Sequence, residues 1–163
     1  MKSLPKMMFA LAAAMALAGP VLPLAAQGAP SPIVLKGDVK VVKTVTDKDG
    51  KQRTELADPD TIVPGDRLMF GTDYANNGTQ PVKNFVVTNP LPSAVRLAPD
   101  ADPALEVSVD AGKTWGVLAK LSVANPDGTM RPATHDDVTH VRWTIATIAP
   151  GASGRVTYPA IIR

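Results

Sequence analysis

Residues 62–95 read IVPGDRLMFGTDYANNGTQPVKNFVVTNPLPSAV. Two apolar runs are separated by the polar break NNGTQP and bounded by turn residues. In the first run Leu68, Phe70, Thr72 and Tyr74 alternate with Met69, Gly71 and Asp73. A period of two sends alternate side chains to opposite faces of a strand, so one set turns toward a core. Val63-Pro64-Gly65-Asp66 is a turn, because proline presets φ and glycine accepts the left-handed position. Asn76-Asn77-Gly78-Thr79 turns the chain again, and Val82 to Thr88 forms the next strand. Asn89-Pro90-Leu91-Pro92 ends that strand, since prolines supply no donor to a central ladder.

The same grammar extends in both directions. Ile33 to Thr46 is β-rich, with Val39, Val41 and Val45 on one face and Val42 and Thr44 on the other. Asp47-Lys48-Asp49-Gly50 supplies a tight turn, and Gln52 to Leu56 returns from it. Downstream, Leu105 to Val109 and Trp115 to Val123 read as a hairpin around Asp110-Ala111-Gly112-Lys113. Pro99 to Pro103 and Asn125 to Asp137 read as loops. In the strand His140 to Ile148, Val141, Trp143 and Ile145 face one way and Arg142 and Thr144 the other. Ala149-Pro150-Gly151 turns, and Arg155 to Ile162 closes the domain. Pro159 assigns that last strand to a sheet edge or a bulge. No stretch sustains helical periodicity. The expected fold is all-β, an antiparallel β-sandwich of about seven to nine strands. Phe70, Tyr74, Phe85, Trp115 and Trp143 are its expected aromatic anchors.

The first 28 residues read differently. Lys2 and Lys6 form a short basic region, and Met7 to Ala18 is wholly apolar. Gly19, Pro20 and Pro23 then break any helix, and Ala26-Gln27-Gly28 satisfies the small-x-small cleavage rule, with cutting after Gly28 the first choice and after Ala26 the second. The expectation is a cleaved signal peptide over residues 1–28 and one sandwich domain over residues 29–163. The apolar run is shorter than the roughly 20 residues of a membrane span, so no stable membrane anchor is expected after cleavage. The chain has no cysteine, which rules out a lipoprotein anchor and any dependence on disulfides. The leader carries two lysines and no acid, which leaves 15 residues of each charge sign in the mature chain. The basic pI therefore belongs to the leader. No clustered basic surface is indicated, and nucleic acid is not expected as a partner.

Several of these residues together carry a family resemblance. Val63-Pro64-Gly65-Asp66, Tyr74-x-Asn76-x-Gly78, Val86-Val87-Thr88-Asn89-Pro90-Leu91-Pro92, and Trp143 followed by Ala149-Pro150-Gly151 occur in that order. This resembles the bacterial conserved-repeat domain, known as domain of unknown function eleven. The match covers about Ile62 to Ile162. The resemblance implies an immunoglobulin-like sandwich in an exported or cell-surface protein, periplasmic or secreted, with no catalytic residue to carry over. Family copies often stand in tandem, whereas this chain holds one copy, and Asn89 stands where the family usually has an acid. The role expected is therefore that of a free, non-catalytic module, structural or binding, in the bacterial cell envelope. Its expected partner is another envelope protein or a surface polysaccharide. Nothing in the sequence bears on oligomeric state.

A second resemblance is local. Ser108-Val109-Asp110-Ala111-Gly112-Lys113-Thr114-Trp115 is similar to the Asp-box, S-x-D-x-G-x-T-W. The resemblance implies a hairpin whose Asp and Ser side chains bind nearby backbone amides, with the tryptophan packed beneath. An accessory domain for carbohydrate or cell-wall binding is the alternative function it suggests, through Trp115.

Candidate chemistry is sparse. His135-Asp136-Asp137 with His140 is the cluster whose residue types could ligate a metal. Zinc wants three or four convergent ligands, and Arg142 beside His140 would repel a cation. Asp47-Lys48-Asp49-Gly50 opens like a calcium loop, but Lys51 stands where the next ligand belongs. Asn77-Gly78-Thr79 fits a glycosylation acceptor and serves equally as a turn. No G-x-S-x-G is present, and the two glutamates are Glu55 and Glu106. No catalytic residue, cofactor-binding residue, metal ligand or cofactor is nominated, and a metal-dependent hydrolase is the least favoured class.

Overall fold

The computed structural model describes residues 31–163. The signal peptide expected over residues 1–28 lies outside them. Among the described residues eleven strands follow in chain order. They are β1 (Ile33–Thr46), β2 (Gln52–Ala57), β3 (Arg67–Asn76), β4 (Val82–Pro90), β5 (Val95–Leu97), β6 (Glu106–Ser108), β7 (Gly116–Val117), β8 (Ser122–Ala124), β9 (Met130–Pro132), β10 (His140–Ile148) and β11 (Ser153–Ile162). Nine build a sandwich of two antiparallel sheets, ordered β2-β1-β3-β11-β5 and β4-β10-β6-β7, while β8 and β9 form a separate ribbon. The all-β sandwich expected from the turn pattern is thus the observed architecture.

Between the sheets, Leu68, Val41 and Ala160 from the first meet Val107, Val141 and Trp143 from the second. Phe70 and Tyr158 are cross-strand partners on β3 and β11, stacked at 5.0 Å with rings 4° from parallel. Trp143 reaches the same Tyr158 ring at 6.2 Å. The Tyr158 hydroxyl donates to the Pro90 carbonyl on β4, and Asn89 Nδ2 donates to Thr72 Oγ1 at 2.7 Å. Asn89 thus joins the sheets through an amide. Of the expected anchors, Phe70 and Trp143 do pack against this core. Tyr74, Phe85 and Trp115 do not belong to it, and Trp115 lies against Arg142 and His140 on the outer face of the second sheet. Tyr158, which alternates inward behind Pro159, is the largest fully buried side chain.

One end of the sandwich is closed by Asn76. Its side chain is completely buried. Nδ2 donates to the Ile148 carbonyl at 2.9 Å and the Gln80 carbonyl at 2.8 Å, while Oδ1 accepts from the Gly78 amide at 2.9 Å. The Asn76 backbone adds bonds to Ala152 and Gly151. A single residue therefore ties the end of β3 to its own turn, to the end of β10 and to the turn before β11.

Three expectations about strands are corrected. First, β11 is not an edge strand, because it pairs with β3 along nine positions and with β5 at its far end. Pro159 is tolerated there because the Ala98 carbonyl, which lies opposite it one residue past β5, accepts from the Ala101 amide and needs no donor from β11. Long open edges lie instead along β4, which pairs with β10 alone, and along the front of β1, where Ile33–Lys40 pair with β3 alone. Lys36 and Lys40 lie on the β1 edge, and such charges discourage edge-to-edge pairing. Second, Trp115 to Val123 is not one strand but β7, a 3₁₀ turn at Leu118–Lys120, and β8. Third, the loop expected over Asn125 to Asp137 contains β9 and a second 3₁₀ turn at His135–Asp137.

The first sheet has one strand more than the second. Val41 pairs with both Leu68 and Ala57. Beyond it the two strands pair only with each other, so the hairpin tip projects from the body. On the outer face, Arg155 bridges Asp73 at 2.8 Å and also Asp38, across β11, β3 and β1. Gly71 lies beneath the guanidinium, and a Cβ there would overlap it.

Two outcomes follow from this packing. Asn76→Ala removes the three side-chain bonds and strands their buried partners. The unfolding free energy should drop by about 2–4 kcal/mol, read from urea midpoints at unchanged slope. Burial pushes the Tyr158 hydroxyl up to about 12 from its ordinary value near 10. The unfolded chain gives up this proton first, so stability should fall as pH rises from about 10 toward 12. Alkaline unfolding curves should be flatter for Tyr158→Phe than for the parent.

Candidate functional site

Two features on the side of the molecule built from β5, β6 and β7 are candidates. The first is the hairpin Ser108–Trp115. β6 alternates, sending Leu105 and Val107 inward and Glu106 and Ser108 outward, opposite Arg142 and His140 of β10. The chain then folds back over that outer face. Asp110 Oδ1 accepts from the amides of Lys113 and Thr114 at 3.1 and 2.9 Å and from the Ser108 hydroxyl at 2.7 Å. Asp110 Oδ2 accepts from the Thr114 hydroxyl at 2.7 Å. Ser108 Oγ in turn accepts from the Gly112 amide at 2.9 Å. Gly112 takes φ +84°, a backbone that few other residues adopt. Trp115 Nε1 closes the loop on the Gly112 carbonyl at 2.9 Å.

The carboxylate of Asp110 is thereby held at about 2, below its ordinary 3.8, chiefly by the amide and hydroxyl of Thr114. Arg142 lies 4.4 Å over the Trp115 ring while its guanidinium faces Glu106 at 3.1 Å. His140 meets the same indole edge-on at 6.3 Å. The half-buried tryptophan thus carries a cation on one face and a histidine at its side. It presents no bare aromatic platform, and the polar groups of the turn are spent on one another.

The second feature is a cleft of about 440 Å³ beside the hairpin. One wall is the segment from Leu97 through Leu105, the other is Val107, the 3₁₀ turn at Leu118–Lys120, and Ala133 to His135. Leu97, Leu105 and Val107 belong to the hydrophobic core, so the cleft opens the core to the surface. Its volume comes from short side chains, with Ala101, Ala119 and Ala133 placed where larger residues would close it. Backbone bonds brace both walls. Ala101 and Leu105 each donate to the carbonyl three residues before, and Leu121 and Ala133 tie down the opposite side. Asp102 Oδ1 accepts from the Ala104 amide at 2.8 Å, which fixes the tip of the first wall.

At the mouth stands His135, half-buried. Its acidic neighbours are engaged elsewhere. Asp137 makes a two-pronged pair with Arg131 at 2.7 Å and accepts from Thr134, which holds its carboxyl well below the usual range. Asp136 pairs with Arg163 at 3.1 Å. The sequence cluster His135-Asp136-Asp137 with His140 is therefore dispersed. His135 lines the cleft, the two aspartates face arginines, and His140 lies against Trp115. Among the described residues no group of three His, Asp or Glu side chains could hold a metal ion. Among them, too, no helix is long and apolar enough to cross a membrane.

The cleft was not legible in the sequence, because its walls come from segments that read as separate loops. The signal that could have marked it is the run of alanines and prolines from Ala98 to Ala104, too small to fill a core. No family model matches this sequence, and no curated protein or solved structure matches it either.

The hairpin yields a test in acid. Asp110 is lowered in the folded state, so its contribution is complete above about pH 4 and is lost as pH falls toward 2. Asp110→Asn should be less stable than the parent at pH 7 and lose less on going to pH 3. Urea midpoints at the two pH values check this.

Proposed function

We propose that this chain is an exported, non-catalytic β-sandwich with a binding role in the bacterial cell envelope, and that it binds through the cleft between the Leu97–Leu105 segment and the 3₁₀ turn at Leu118–Lys120. The cleft itself carries the reading. Small-molecule and side-chain sites are concave, mostly apolar and preformed, with few polar groups at their rim. Here the walls are apolar, both are braced by backbone bonds, and His135 stands at the mouth. Placement in the envelope, periplasmic or secreted, rests on the leader pattern at residues 1–28 and on the resemblance of residues 62–162 to envelope modules. A polysaccharide partner stacked on Trp115 is the weaker reading, since Arg142 already covers that ring.

Expression of the full chain in a Gram-negative host tests the envelope assignment. The osmotic-shock fraction should contain a processed protein beginning at Ala29, read by intact mass. A full-length chain confined to the cytoplasm would overturn it. The purified protein tests the binding role when immobilised and exposed to an envelope extract. A component retained by the parent and released by Ala133→Phe, which fills the cleft, supports the cleft as the site. Retention indifferent to that substitution would move the site elsewhere.

A further inference from the structure

We propose that the cleft selects a small neutral organic molecule with an apolar body and one hydroxyl group, the hydroxyl meeting His135. This rests on the binding role assigned above and names the chemistry of its ligand. Three observations lead to it.

The first is volume and lining. About 440 Å³ lies within the range of roughly 300–1,000 Å³ typical of small-molecule sites. The floor is Leu97, Leu105 and Val107, at 2, 7 and 1% exposure, so an occupant would complete the core rather than rest on a polar surface. Those side chains are already nearly removed from water, so the gain comes from burying the occupant's own apolar surface, worth roughly 25 cal/mol per Å². The walls are braced without a ligand, so little ordering cost is charged against that gain.

The second is the polar group at the mouth. The Asp136 and Asp137 carboxylates beside His135 are taken up by Arg163 and Arg131. Among the described residues no hydrogen bond engages the His135 ring, which leaves one nitrogen to donate and the other to accept. A hydroxyl can serve either tautomer, being donor and acceptor at once.

The third is charge. Asp102 lies on the lining and, among the described residues, pairs with no cation, whereas Asp136 and Asp137 are neutralised by Arg163 and Arg131. The Asp102 carboxylate disfavours an anionic head group, which separates an alcohol or phenol from a fatty acid of the same size.

Titration of the isotope-labelled protein with 4-propylphenol, followed by amide NMR shifts, tests the proposal. Saturable shifts are expected at Leu97, Ala101, Leu118 and Ala133, with octanoate binding at least tenfold more weakly. His135→Ala should weaken 4-propylphenol about three- to tenfold, the size of one hydrogen bond, and should leave the remaining spectrum unchanged. Ala133→Phe should abolish the shifts. If that variant fails to fold, Ala119→Leu, at an exposed wall position, serves in its place. Absence of saturable shifts up to millimolar probe would overturn the proposal, as would shifts that persist in a folded, cleft-filled variant. Octanoate binding as tightly as the phenol would overturn the assignment of a neutral head group. An envelope component retained by the parent and released by Ala133→Phe, with no shifts from the phenol, would leave the binding role standing and overturn the ligand chemistry alone.

Discussion

The side chain of Asn76 is the constraint on which the sandwich depends. It is fully buried, and its amide is spent on backbone groups of its own turn and of the distant end of β10. A buried amide in a low-dielectric interior is costly when unpaired and strongly orienting when paired. Bonding to Ile148 ties β3 to the end of β10, and bonding to Gln80 and Gly78 shapes the turn that carries the chain from one sheet to the other. Shifting β3 by one residue would replace Asn76 at this point and turn every inward side chain of the strand outward. The amide therefore sets register as well as closing the end of the sandwich.

From that fixed end the interior fills in one direction. Phe70, Tyr158 and Trp143 form the aromatic centre, and Tyr158 and Asn89 add polar links between the sheets. Further on, the packing thins. β5, β6 and β7 are two or three residues long, and the segments between them are held by turns rather than ladders. Short strands linked by alanine-rich turns cannot bring enough side-chain volume to close the gap. The cleft is what remains. The opposite flank shows a different imbalance, because beyond Val41 the strands β1 and β2 pair only with each other and leave a hairpin tip supported by its own ladder.

The legible parts of this molecule were those determined locally. β1 and β10 follow from alternation and turn residues to the residue, and so do the starts of β2 and β4. The hairpin Ser108–Trp115 was equally readable, since its bonds join residues at most four apart. Pro159 misled because its local meaning, an edge strand, was overridden by the place where β5 stops. Trp115 misled because hydrophobic size does not say which face of a sheet an aromatic covers. Tyr158 was overlooked for the converse reason. One tyrosine in a strand containing proline gives no hint that two sheets will meet on it.

The sequence by itself determined the all-β class, the principal turns, the long strands and the self-bonded hairpin, because each rests on backbone preferences and contacts within a few residues. It also set the leader pattern and the charge balance of the mature chain. Only the tertiary structure decided which strands are edges, where Asn76 and Tyr158 direct their polar groups, and that Arg142 occupies Trp115. It also decided that alanines and prolines distant in sequence enclose one cleft with His135 at its mouth. Those facts depend on packing between segments tens of residues apart, for which a single chain carries no local signature.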